Sequence, residues 1–260
     1  MRHVDVDSVP AELFGLSDEL GQVGGDWHAH TRHQLLFARS GVLRLEVHDH
    51  AWVLPPRHAA WVRAGVVHRI SVKRMASLHT LYVDRRRATG PDTPVRIFPV
   101  TGLGREMIMH AMRWGPDRDP DDPVAEAFFG AMVALLDEWT SAAAPYGLPL
   151  GCSDTTRAAI RWTFGRLDRP GLSVDGAARA AGTSARTLRR RMLDETGGSW
   201  RDVVQQARLL RAVEALSDPA ASVQQACDAA GYQSLGSFSR SFSEALGESP
   251  RAWQRRATGP

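Results

Sequence analysis

Between residues 34 and 83 short apolar runs alternate with turn residues. Runs at 34–38, 42–47, 51–54, 60–62 and 78–83 are separated by Ser40-Gly41, Asp49, Pro55-Pro56 and Gly65. Short strands at such spacing predict an all-β barrel or sandwich. After Gly102 the apolar period becomes helical. Leu103, Met107, Met109, His110 and Met112 fit a helix ending near Gly115-Pro116. A second helix is expected over 122–141, with Ala125, Phe128, Phe129, Met132, Leu135, Leu136 and Trp139 along one apolar face. Asp122 is a helix-start residue and Pro123 suits the first turn. The stretch 141–153 is rich in Pro, Gly, Ala and Ser and reads as a linker.

Beyond it the pattern repeats. Leu188, Arg190, Gly197 and Ser199 recur fifty residues later as Phe238, Arg240, Gly247 and Ser249, and Val174, Ala178 and Gly182 recur as Val223, Cys227 and Gly231. Each copy reads as a short helix, a turn at glycine, and a second helix opening at Ser184 or Ser234. Small Ala178 and Cys227 permit a close helix crossing, and Gly182 and Gly231 a sharp turn. That is helix-turn-helix grammar, twice. A continuous helix over 200–216 separates the copies, with Trp200, Val203, Val204, Ala207, Leu210, Val213 and Leu216 on one stripe.

Composition adds limits. At 260 residues, 43% hydrophobic and 23% charged, the chain is globular, sized for one large or two modest domains. No apolar run approaches the ~20 residues of a membrane helix, and the polar N-terminus is no secretory signal. Two cysteines make no disulfide framework. A cytoplasmic protein is expected. Charge and histidine then divide the chain. Residues 155–260 carry 16 arginines against 10 acids, residues 1–154 carry 16 basic against 19 acidic side chains, and all ten histidines lie at or before His110. A basic half suggests a polyanion partner, although Lys73 is the only lysine and the chain is Arg-biased.

In the second helix of the first copy, Leu188 and Met192 face the core, which turns Arg186, Arg189 and Arg190 outward. Guanidinium forks suit guanine edges and phosphate oxygens. In the second copy Phe238 and Phe242 are core, leaving Leu235, Gly236, Ser239 and Arg240 outward. In the N-terminal half His28 and His30 are two apart, so on a strand they share a face. Gln34 follows four later, and Gly65-Val66-Val67-His68 supplies another imidazole. Three imidazoles and an oxygen donor suit Zn²⁺, Fe²⁺ or Ni²⁺. Without metal, the same groups would line a ligand pocket with hydrogen-bonding atoms. Trp27, Phe37, Trp52, Trp61 and Tyr82 serve either as pocket wall or as plain core.

Two resemblances follow. Residues 21–41, a Gly, His28-x-His30, Gln34 and Gly41, resemble the first cupin motif, and Arg63-Ala64-Gly65-x-x-His68 resembles the second. Gln34 stands where the family has Glu, and Arg63 where it has Pro. The resemblance implies convergence of His28, His30, Gln34 and His68 inside a barrel. Residues 172–256 resemble the DNA-binding domain of AraC/XylS-type transcription regulators, most characteristically in Ala230-Gly231-Tyr232-Gln233-Ser234, Phe238-Ser239-Arg240-Ser241-Phe242 and Gly247-Glu248-Ser249-Pro250. It implies that each second helix enters a major groove, about one helical turn apart. Ser184, Arg186, Thr187, Arg189 and Arg190 would belong to the first contact and Leu235, Gly236, Ser239 and Arg240 to the second. The expected fold is α+β in two domains: a cupin-like β-barrel with trailing helices at 1–145, a linker at 146–156, and an all-α double helix-turn-helix domain at 157–258. The expected function is a sequence-specific DNA-binding regulator modulated by a small molecule or metal. Its partners would be double-stranded DNA, a small-molecule effector, a second copy through the apolar face of 122–141 (Phe128, Met132, Leu135 and Trp139), and RNA polymerase. The alternative is a dioxygenase-like cupin metalloenzyme with an accessory DNA-binding domain. Against an enzyme, no phosphate loop, nucleophile triad or paired catalytic carboxylates can be read.

Overall fold

The strands at 33–40, 43–46, 50–54, 58–62 and 76–83 fall where apolar runs and turn residues predict them. A computed structural model of the chain describes residues 4–169 and 171–259. The N-terminal strands are β1 (Leu13–Leu20), β2 (Val23–Gly24), β3 (His33–Ser40), β4 (Leu43–Glu46), β5 (His50–Leu54), β6 (His58–Val62), β7 (Arg69–Val72), β8 (Ala76–Val83) and β9 (Val95–Pro99). Helices α1 (Gly102–Ala111) and α2 (Pro123–Ser141) follow. Next come β10 (Gly147–Pro149), α3 (Asp154–Phe164), α4 (Val174–Ala180), α5 (Ala185–Thr196), α6 (Trp200–Leu216), α7 (Val223–Ala229), α8 (Leu235–Leu246) and α9 (Pro250–Thr258). Two compact units result. One contains Met1–Leu45 and Leu54–Pro145, the other Glu46–Val53 and Tyr146–Pro260.

In the first unit, β1-β8-β3-β6-β9 form one antiparallel sheet, with Gln34 of β3 opposite both Tyr82 of β8 and Val62 of β6. β8 is buried along its whole length and β3 over its first six residues, so both faces of the sheet are covered. Alternation then sorts the side chains. Leu35, Phe37, Ala59, Trp61, Leu81 and Phe98 pack against Ile108 and Ala111 of α1 and Phe129, Met132, Leu136 and Trp139 of α2. The opposite face carries Phe14, Gln34 and Tyr82, and Phe14 stacks on Tyr82 with centroids 5.2 Å apart. A second sheet places β4, β7 and β2 as successive neighbours. The ladders stay as separate sheets rather than one closed ring.

Two expectations change here. Helix α1 stops at Ala111, with Met112 as its C-cap, short of Gly115. Helix α2 opens as expected, Asp122 accepting from Val124 N at 2.9 Å. However, Met132 and Trp139, expected on a dimer face, are buried in this unit's own core, and Phe128 and Leu135 are half-buried against it. Burial on its own sheet is open to an apolar helix face without any partner, and here it takes most of the stripe.

The second unit holds β10 paired with β5, Leu148 opposite Ala51, and the seven helices α3–α9. Tyr146 is buried and accepts from Trp253 Nε1 at 3.0 Å. Gln206 Nε2 donates to Gly147 O at 2.8 Å. Glu195 accepts from Cys152 N at 2.9 Å, Ser153 N at 2.8 Å and Ser153 Oγ at 2.7 Å. The stretch 146–156 thus carries β10 and the N-cap of α3, tied to α5. Burial pushes the Glu195 carboxyl up, but these donors outweigh it and hold it below the ordinary 4.5. Glu195→Gln should cost roughly 1–3 kcal/mol, because it exchanges a charged acceptor for a neutral one and turns a donor toward these donors. A carboxyl held low stabilises fully above its unfolded pKa and loses that contribution as pH falls through its folded value. Wild type should therefore shed the extra stability below about pH 4.5, and its melting-temperature gap to the variant should close there. A constant gap from pH 7 to pH 3 would show that the charge is irrelevant.

Candidate nucleic-acid interface and histidine cluster

The two helix-turn-helix copies are built alike. Ser173 and Ser222 cap α4 and α7. The turns pass through Gly182 at φ 66° and Gly231 at φ 76°, backbone that only glycine adopts freely. Ser184 and Ser234 then cap α5 and α8, accepting from Thr187 N at 3.2 Å and Ser237 N at 3.3 Å. Both second helices end at left-handed glycines, Gly197 and Gly247. Leu188 and Met192, and Phe238 and Phe242, are their buried residues. An aromatic chain, Tyr232–Phe238–Phe242–Trp253, with centroids 5.4, 5.7 and 6.2 Å apart, holds α8 against α9.

With those anchors inward, Arg186, Arg189 and Arg190 are exposed on α5, and Leu235, Gly236 and Arg240 on α8. Ser239 and Thr187 are half-buried, and Thr187 Oγ1 lies 2.9 Å from Ser184 Oγ. Among the described residues Arg186, Arg189, Arg190 and Arg240 make no ion pair, whereas Arg191 sits 3.8 Å from Glu195. The first turn of neither helix carries an acid. The positive helix N-termini and the guanidinium groups therefore reinforce one another as an anion-facing surface. Leu193 is 62% exposed and continues the stripe one turn beyond Arg189 and Arg190. It was not read from the sequence, although its i+7 spacing from Arg186 was the available signal.

The first unit gathers His28, His30, Gln34 and His68. His28 and His68 form an antiparallel bridge, each N–H donating to the other's carbonyl at 2.9 Å. The three rings offer nitrogen atoms all within 4.8 Å of one another. Each Nδ1 is held by a backbone carbonyl: His28 by Asp26 at 3.0 Å, His30 by Arg32 at 2.8 Å and His68 by Val66 at 2.8 Å. A carbonyl only accepts, so each neutral ring carries its proton on Nδ1 and presents a bare Nε2. Gln34 Oε1 lies 3.0 Å from His68 Nε2 and 3.4 Å from His30 Nε2, and Gln34 Nε2 donates to Tyr82 Oη at 3.2 Å. His68, Gln34 and His30 are buried and His28 is exposed. Burial lowers the His68 pKa to about 4 and also lowers that of His30, while burial raises Tyr82 to about 12.

The other histidines stay apart. His33 stacks on Trp61 at 5.1 Å, His79 bonds Ser17 at 2.8 Å, and His48 meets Arg157 at 2.9 Å. Of the candidate wall aromatics, Tyr82 alone lies against the cluster, its ring 5.3 Å from His30. Phe37 and Trp61 belong to the helix-facing core, and Trp27 is exposed under Arg69.

The duplicated capped helices, with arginines exposed on one face, form a double helix-turn-helix unit of the kind that binds DNA. Residues 177–256 match the family described as a helix-turn-helix domain. The chain is 28% identical over 235 residues to the HTH-type transcriptional regulator NimR of Escherichia coli, covering 89% of this chain and 82% of that protein. Among solved structures, ToxT from Vibrio cholerae with an unsaturated fatty acid bound aligns over 95% of this chain and 96% of its own, at 10% identity and TM-score 0.41. An AraC-type regulator from Chromobacterium violaceum aligns over 40% of this chain and 91% of its own, at 26% identity and TM-score 0.37. No helix among the described residues is long and apolar enough to cross a membrane.

Proposed function

We propose that this regulator reads DNA through α5 and α8 and is modulated at the histidine cluster of its first unit. The observation that carries the DNA reading is the shared outward face of the two copies. Arg186, Arg189 and Arg190 occupy on α5 the positions that Gly236, Ser239 and Arg240 occupy on α8. The first copy would contribute most of the base and phosphate contacts. The second would supply Arg240 with shape and backbone contacts from Leu235, Gly236 and Ser239. Ser184 and Thr187 would set the N-terminal turn of α5 against phosphate. Such a protein works in the cytoplasm, where its DNA is.

At the cluster, His28, His30 and His68 would hold a divalent transition metal, with Gln34 Oε1 as a fourth donor. The donor set fits. The bare Nε2 atoms of His30 and His68 face the Gln34 amide oxygen, His28 brings a ring nitrogen within 4.8 Å of theirs, and a cation would satisfy these acceptors together. Turned over, the Gln34 amide would donate to an imidazole and accept from Tyr82, which is the metal-free arrangement. A bound metal would cross-link three segments of the first unit and so couple its occupancy to DNA affinity, typically by ~1–3 kcal/mol. We assign no catalytic step to this site. Oxygen uptake by iron-loaded protein would favour the metalloenzyme reading instead. For a homodimer, α1 and α2 still offer exposed Leu103 and Val124 and the outer edges of Phe128 and Leu135. Sedimentation at micromolar concentration tests it, and a monomer removes it.

The deciding experiment is a footprint on DNA flanking the protein's own gene, with metal content assayed on the same sample. Protection of about two helical turns per subunit is expected. No protection at low salt would remove the DNA reading. The double variant His28→Ala/His30→Ala should lose metal binding and the metal-dependent change in operator affinity, and should match metal-free wild type within about twofold, since the second unit holds every proposed DNA contact. Retained stoichiometric metal would show that these rings are not ligands.

A further inference from the structure

The charge of the histidine cluster carries a further inference, which rests on the metal reading above. Every donor at the site is neutral. The imidazoles carry one proton each, on Nδ1, and the fourth donor is the amide of Gln34. Among the described residues no carboxylate or thiol joins the group. Asp7, the acid acting on His30, spends its oxygens on Thr31 N at 2.9 and 3.1 Å and on Thr31 Oγ1 at 2.8 Å. A divalent ion here would keep both positive charges. His30, Gln34 and His68 are no more than 6% exposed, so water screens little of that charge from within. An uncompensated buried charge is costly, and an opposite charge beside it is the usual remedy.

The remedy can come only from outside, and the cluster is open on one side, because His28 is exposed while His30 and His68 are buried. We propose that the site is a metal-dependent anion receptor, whose effector is a small anion donating through oxygen or nitrogen, of the carboxylate type, bound to the ion on the His28 side. Gln34 is then the specificity-determining residue. A carboxylate at that position would supply one negative charge from within and weaken the demand for an external one.

The test uses the full chain, stripped of metal, reloaded with Co²⁺ and followed by visible absorption in perchlorate buffer, with azide and acetate as probes. One Co²⁺ per chain is expected, absent in His68→Ala. Each anion should shift the visible bands saturably. Gln34→Glu should retain Co²⁺ but bind either anion about tenfold or more weakly. Co²⁺ bound with a spectrum indifferent to both anions would overturn the receptor and leave the metal reading standing. Equal anion affinity in Gln34→Glu would overturn the role of Gln34 and the charge argument with it. No Co²⁺ bound by wild type would remove the metal reading, and the receptor with it. The wild-type titration decides the receptor even where Gln34→Glu folds poorly.

Discussion

Replacing Arg186, Arg189 and Arg190 together by alanine is expected to abolish operator binding at physiological salt while leaving the protein folded. All three are exposed and make no ion pair among the described residues, so their loss breaks no internal contact. Alanine is also the better helix former, so α5 should survive. A guanidinium that pairs with a base edge or phosphate contributes about 1–3 kcal/mol. Three together approach the ~4–10 kcal/mol that separates specific from non-specific binding, though adjacent contacts need not add. The affinity loss should exceed about a thousandfold. The slope of log K against log salt should flatten by about one for each phosphate contact removed. Single variants then separate roles. Arg190→Ala should relax discrimination at one base pair if it reads guanine, and weaken all sequences equally if it grips phosphate. A triple variant binding within tenfold of wild type would sink the assignment of α5 as the principal reader.

Gly231→Ala should unfold or grossly loosen the second helix-turn-helix copy, whereas Gly182→Ala, at the matching turn, should cost only the strain of its left-handed backbone, about 1–2 kcal/mol. Both glycines have positive φ, 76° and 66°. That alone costs an alanine about 1–2 kcal/mol. The surroundings differ. A Cβ on Gly231 would stand 1.7 Å from Leu167 O and 2.6 Å from Leu167 C, both backbone, while one on Gly182 meets nothing within 4 Å. No rotamer relieves a backbone clash, so the chain around Leu167 or the α7–α8 turn must move. Strain plus overpacking brings the expected cost to about 2–5 kcal/mol for Gly231→Ala. Paired denaturation midpoints measure the difference, and DNA binding by the folded fraction reports whether α8 is still placed. Equal midpoints for the two variants would mean that the turn relaxes freely.

The local grammar of the second unit was legible along the chain. The repeat placed both turn glycines, both N-cap serines and the anchors Leu188, Met192, Phe238 and Phe242, and 200–216 matched α6 residue for residue. These features depend on side chains three or four apart and on caps next to the helices they start, so sequence spacing carries them. The candidate ligands His28, His30, Gln34 and His68 were also picked out by spacing and resemblance. Strands β1, β2, β7, β9 and β10 and helices α3 and α9 were missed. β1 and β9 are edge strands of their sheet, with mixed polar and apolar sequences, and their partners lie far along the chain. Strand identity there comes from pairing.

Sequence alone thus determined the double helix-turn-helix, its outward arginines and the β-rich character of the first half, because each follows from periodicity over a few residues. Tertiary structure decided the rest. It grouped Glu46–Val53 with the second unit and turned Met132 and Trp139 of α2 into their own core. It separated His33, His48, His50, His58 and His79 from the three rings that converge. It also held the Nδ1 of each ring on a carbonyl two residues away, which leaves each Nε2 bare. Those outcomes depend on sheet register and on which surfaces meet across long loops, and no local pattern encodes them.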